Sequence, residues 1–307
     1  MKSNTLTESN IGLIALLLRL GLGTVFIIGG ISKLSLLLNE STHQGMVDNY
    51  MGSSGYINEL FQQYLFTGVA GEFLSPAGFL TTLSAFELVS GIALVAGFLI
   101  RPLSLFYAFL LWTFVVSLPT MTVPGVEISE KTYTSPAIFV QIRDIALSGF
   151  MFALFNIGAG MKSVDNRFIA PKTSIDWDQM GLLLRISLAI IFIVGGFFGG
   201  FAKIPTFATA NLLLAATGLA LMFGSKKVVQ AAGFVAAGIM LWFIFHKFSI
   251  DKTLIKNLNG FKREFAFLAA GVVLAIFGGG GKYTLGDIAS RSKTYLTSYK
   301  KPLATQG

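Results

Sequence analysis

Two ionisable residues sit where an ion is costly. Arg19 lies in an apolar run at 11–38 and Glu87 in another at 76–100. An isolated charge in a membrane helix costs from about 2.5 to well over 10 kcal/mol, so a partner or a polar cavity is required. Counting about 1.5 Å of rise per residue places Arg19 about 12 Å and Glu87 about 20 Å from the inner surface. At those depths the two would either clamp the bundle as an ion pair or hold a polar substrate or quinone head group, with Glu87 receiving protons. Both are candidate catalytic groups, and both roles are open. Lys33, near the outer end of the Arg19 helix, is placed to attract an anion from outside or to anchor the helix at the interface. His43 is the one histidine in the polar stretch that follows, beside Asp48, Glu59 and Glu72. With Lys33 and Arg19 it forms the candidate substrate-binding set. One histidine among scattered carboxylates lacks metal-ligand spacing, and no metal site is expected.

The elements around these residues repeat. RLGLGTVFIIGG from Arg19 returns as RISLAIIFIVGG from Arg185, with the glycine pairs Gly29–Gly30 and Gly195–Gly196 in register. The heptapeptide at 91–97, opened by Gly91, returns at 218–224, opened by Gly218. The stretch at 158–165 returns at 279–286. Three echoes in one order indicate tandem duplication. The glycines read as close helix-packing surfaces and not as cofactor loops. Arg185, the counterpart of Arg19, has Leu214 where the first half has Glu87, and sits only about five residues into its helix, so it is expected to snorkel to the inner face. Lys203 lies at a level similar to Lys33.

Composition fixes the setting. Of 307 residues, 53% are hydrophobic and 12% charged. Soluble domains carry about 25% charged residues, so the chain is an integral membrane protein that takes the lipid bilayer as its solvent. Eight helices are expected, at 11–38, 76–100, 102–118, 143–160, 180–201, 207–223, 228–245 and 264–277. The fold class is therefore all-α: two parallel-repeat four-helix bundles, with long outer loops in the first half. The units are 1–165, a linker at 166–179, a degenerate second bundle at 180–286 and a basic tail at 287–307. Tyr56, Ile57, Leu60, Phe61, Tyr64 and Leu65 suggest one amphipathic surface helix between the first two spans. With both termini inside, Arg101, Lys162, Arg167, Lys172, Lys226 and Lys227 fall on the cytoplasmic side; the membrane expected is a bacterial or archaeal inner membrane. The basic segment 246–263 is an exception to that rule. The absence of cysteine excludes cysteine-ligated clusters and attached c-type haem. With only His43 and His246, bis-histidine haem is not expected. No basic stripe interleaved with aromatics points to nucleic acid.

The stretches LLLRLGLGTVFIIGGISKL (16–34), FELVSGIALVAGFLIRPLSL (86–105) and RDIALSGFMFALFNIGAGMKSVD (143–165) resemble the DoxX/DoxD family of four-helix membrane proteins. The matching residues are Arg19, Gly30, Lys33, Glu87, Gly91, Arg101, Gly158, Gly160, Ser163 and Asp165. The second half resembles a reduced copy, keeping Arg185, Gly196 and Gly218. The DoxD branch implies the membrane subunit of a thiosulfate:quinone oxidoreductase, which forms tetrathionate at the outer face and passes electrons to quinone as diffusible acceptor. Other members imply a non-catalytic anchor of a redox complex, and a small-solute transporter is the competing class. A partner redox subunit and a small anionic substrate are the implied partners.

Overall fold

The computed structural model describes residues 6–288 except 53–54, 58, 123, 126, 128–130, 133–134, 171 and 199–209. Lys203, the loop around it and the tail beyond 288 therefore lie outside the described residues. Among the described residues, six helices are long and apolar enough to cross a membrane. They are α1 (Glu8–Leu37), α5 (Pro76–Ala96), α6 (Ile100–Ser117), α8 (Ala137–Ile157), α9 (Trp177–Phe198) and α11 (Lys226–Lys247). Two more apolar helices, α10 (Asn211–Phe223) and α13 (Glu264–Phe277), are shorter. At about 1.5 Å per residue they reach about 20 Å, less than a 30 Å hydrocarbon layer. The protein is thus an all-α, multi-pass membrane protein.

Thr7 caps α1, its hydroxyl accepting from the Asn10 amide. The helix expected over 56–65 is α3 (Glu59–Phe66), flanked by the short helices α2 (Glu40–Met51) and α4 (Gly68–Phe73). Ile57 lies outside all three. It is buried with Leu37, Met46, Val47 and Leu80 in a satellite core over one end of the bundle. After α6 come the single turn α7 (Pro119–Thr122) and a two-residue hairpin, Lys131–Thr132 against Ser135–Pro136. Helix α8 then starts at Ala137, about two turns before the expected start at residue 143. Arg143 and Asp144 therefore lie inside the helix, and Asp144 is buried. Between α11 and α13 a short helix, α12 (Leu254–Gly260), packs on α1.

Helix α1 packs on α5, α6 on α8, α9 on α10, and α11 on α13. The halves interlock through α8 on α9 and α1 on α13. Glycine makes the closest approaches. A Cβ on Gly91 would lie 2.7 Å from the Ile27 nitrogen and 2.9 Å from the Gly23 oxygen, and one on Gly30 would lie 2.7 Å from Leu88 N and Ser84 O. Gly196 and Gly218 hold α9 to α10 in the same way: a Cβ on either would meet backbone nitrogen of the facing helix at 2.5–2.7 Å. Gly91→Val is expected to cost about 1–3 kcal/mol through overpacking. Gly238→Ala, which meets nothing within 4 Å, should be neutral. Thermal unfolding of both variants in detergent tests this, and equal melting would refute it.

The outside of the bundle is apolar. Val89, Phe109, Leu212, Phe234 and Phe245 are exposed, as are Trp112 and Trp242. Such a face is stable against lipid and not against water.

Candidate functional site

The structure separates the two charges that opened the sequence argument. Arg19 is 2% exposed, and its guanidinium donates to backbone carbonyls: Ala159, Val95 at 3.1 Å and Lys162 at 2.9 Å. These are orphan carbonyls at the end of α5 and in the loop after α8. Asp165 completes this end of the bundle, its carboxylate accepting from the amides of Leu99 (2.8 Å) and Ile100 (2.9 Å) at the start of α6. That brace fixes Leu99 at φ 53°, a left-handed conformation costly for leucine. Arg185 serves the second half likewise, donating to Gly224 O at 3.5 Å and to Lys282 O. It does not snorkel, being fully buried.

Glu87 pairs with Lys33. Lys33 Nζ donates to Glu87 Oε1 at 2.5 Å, and both side chains are largely buried. The antiparallel register set by the glycines explains the choice. It puts Glu87 beside Gly29 and one turn below Lys33, while Arg19 faces Val95, about two turns away. His43 joins neither group, its Nδ1 lying 2.6 Å from the Leu37 carbonyl, where it caps the end of α1.

The Lys33–Glu87 pair lines a cavity of about 140 Å³ under α2. Val25, Phe26, Leu111, Phe114 and Leu147 supply apolar wall, and Asp144, Lys262 and Arg263 bring further charge. Arg263 Nε lies 3.5 Å from Asp144 Oδ1 and also makes a side-chain hydrogen bond with Tyr56. Lys262 Nζ donates to Asn259 Oδ1 at 2.9 Å. Burial pushes Lys262 down to about 7, helped by the positive charges of Arg263 and Lys33 and opposed by Glu87 and Asp144.

Lys262 and Arg263 arrive on the segment that broke the positive-inside pattern. Buried Asn257 pins that segment, donating to Ser249 O (2.7 Å) and Lys252 O (3.1 Å) and accepting from Ser249 N (2.9 Å). These residues lie in the cavity wall because a second-half loop enters the first half's mouth. Their signal in the sequence was a basic segment that broke the expected positive-inside pattern.

Residues 14–118 match the family model described as DoxX. No curated protein and no solved structure matches the chain. The DoxX stretch runs from within α1 to the end of α6, so it holds Arg19, Lys33 and Glu87. Asp144, Lys262 and Arg263 lie beyond it. Among the described residues no three His, Asp or Glu side chains are grouped to hold a metal ion.

Proposed function

We propose that the chain is the membrane subunit of a quinone-linked redox system whose substrate is handled in the Lys33–Glu87 cavity. The convergence of Lys33, Glu87, Asp144, Lys262 and Arg263 inside an apolar bundle carries this reading. Intramembrane charges are expensive, and where several line one cavity they mark a functional site. The match of residues 14–118 to the DoxX model adds support. The chain has no cysteine and so no cysteine-ligated cluster. Electrons therefore pass to a docked quinone or to a redox group on a partner subunit. In the thiosulfate form of the reaction, two thiosulfates join through a new S–S bond as tetrathionate and release two electrons. These electrons and two protons convert quinone to quinol, and Glu87 and Asp144 are placed to hold protons.

The same reading takes the chain as two tandem four-helix repeats, with α10 and α13 completing eight spans. The shared glycine packing and the matched roles of Arg19 and Arg185 support it. Both termini are cytoplasmic in the bacterial or archaeal inner membrane, and the cavity faces out.

The test is quinone reduction by the purified chain, alone and with co-purifying subunits, across thiosulfate and other small reductants. Turnover that Glu87→Gln abolishes in folded protein is expected. Absence of turnover with every donor and every co-purifying subunit would overturn the redox reading.

A further inference from the structure

We infer that the mouth cavity is a binding site for a small oxyanion and that its principal cation is Lys262 from the second half. The inference rests on the cavity being the substrate site, as proposed above.

Charge balance points to an anion. Lys33 is neutralised by Glu87 and Arg263 by Asp144. Among the described residues Lys262 has no carboxylate within ion-pair distance, and its hydrogen-bond partner is the neutral Asn259 side chain. These five residues thus leave one positive charge in excess. Lys262 is part-buried, and a cation partly withdrawn from water without a counter-ion carries a desolvation cost that an incoming anion reduces.

Shape agrees. The cavity holds about 140 Å³, well short of the roughly 300–1,000 Å³ that drug-sized ligands occupy. A sulfate-sized ion fits. Gly29 forms bare floor between the acid and the free cation. A Cβ there would lie 3.2 Å from Glu87 Oε2 and 3.4 Å from Lys262 Nζ. An oxyanion resting on that floor reaches Lys262 with Lys33 and Arg263 beside it.

The test is equilibrium binding of radiolabelled sulfate to the full chain in detergent at low ionic strength. Saturable binding near one per chain is expected, with affinity falling about tenfold or more in Lys262→Gln, the scale of one lost charge-assisted hydrogen bond. Gly29→Val should weaken binding by filling the floor. Because Lys262 is protonated only below about 7, affinity should fall as pH rises through that value. It should stay flat in Lys262→Arg, which keeps its charge. Elution as a single species and an unchanged melting temperature show that each variant is folded. Absence of saturable sulfate binding in the wild type, or unchanged affinity in folded Lys262→Gln, would overturn the site. Sulfate binding without quinone reduction would leave the anion site standing and remove the redox reading. Quinone reduction without sulfate binding would do the reverse.

Discussion

Arg19→Ala is expected to produce little or no folded protein. The substitution deletes the donor to three carbonyls, Val95, Ala159 and Lys162, which come from two separate parts of the chain. Each buried carbonyl left without a donor costs about 1–3 kcal/mol. Together they approach the 5–15 kcal/mol that separates most folded proteins from unfolding. Lysine should rescue only in part, because an ammonium cannot reproduce the planar fork that serves several acceptors at once. Arg185→Ala should be milder, since it loses two contacts, one of them long at 3.5 Å. Thermal unfolding followed by loss of monodisperse elution measures both. A melting point for Arg19→Ala within a degree or two of wild type would sink the bracing role.

Lys33→Met and Glu87→Gln should each be far more harmful than the pair of changes together. Removing one member of a buried ion pair typically costs about 3–5 kcal/mol, because the other charge is left in a poor solvent. Removing both leaves no orphan, so the double variant should regain most of the loss. Its stability should return without activity, because the cavity loses the acid that handles protons. Additive losses in the double-mutant cycle would show that the two residues are not coupled, contrary to their 2.5 Å contact.

The apolar spans, the glycine seams and the two equivalent arginines were legible because they depend on local composition and spacing. The partners of the charges were not. Arg19 satisfies backbone carbonyls some 140 positions away, and a carbonyl has no residue type to recognise. Counting depth from one surface placed Arg19 near Glu87. The antiparallel register implied by the glycines, Gly23 against Gly91 and Gly30 between Ser84 and Leu88, would have placed it at Val95 and Glu87 beside Gly29. Asp144 was obscured because α8 begins two turns earlier than its charged residues suggest, just after Pro136. Lys262 and Arg263 were visible only as a violation of charge topology, and that violation was the clue.

Under the tandem reading Arg143 in α8 and Glu264 at the start of α13 hold corresponding places in the two halves, and each lies in the other's electrostatic field. Two identical subunits related by a twofold axis would have to bring like residues together there, arginine to arginine or glutamate to glutamate. Joining the copies in one polypeptide releases that constraint and lets the facing positions diverge into opposites. The same release lets one copy lend its loop to the other's mouth. On the tandem reading, with the mouth cavity as the proposed ligand site, each polypeptide carries one such site where a symmetric dimer of the ancestral unit would have built two.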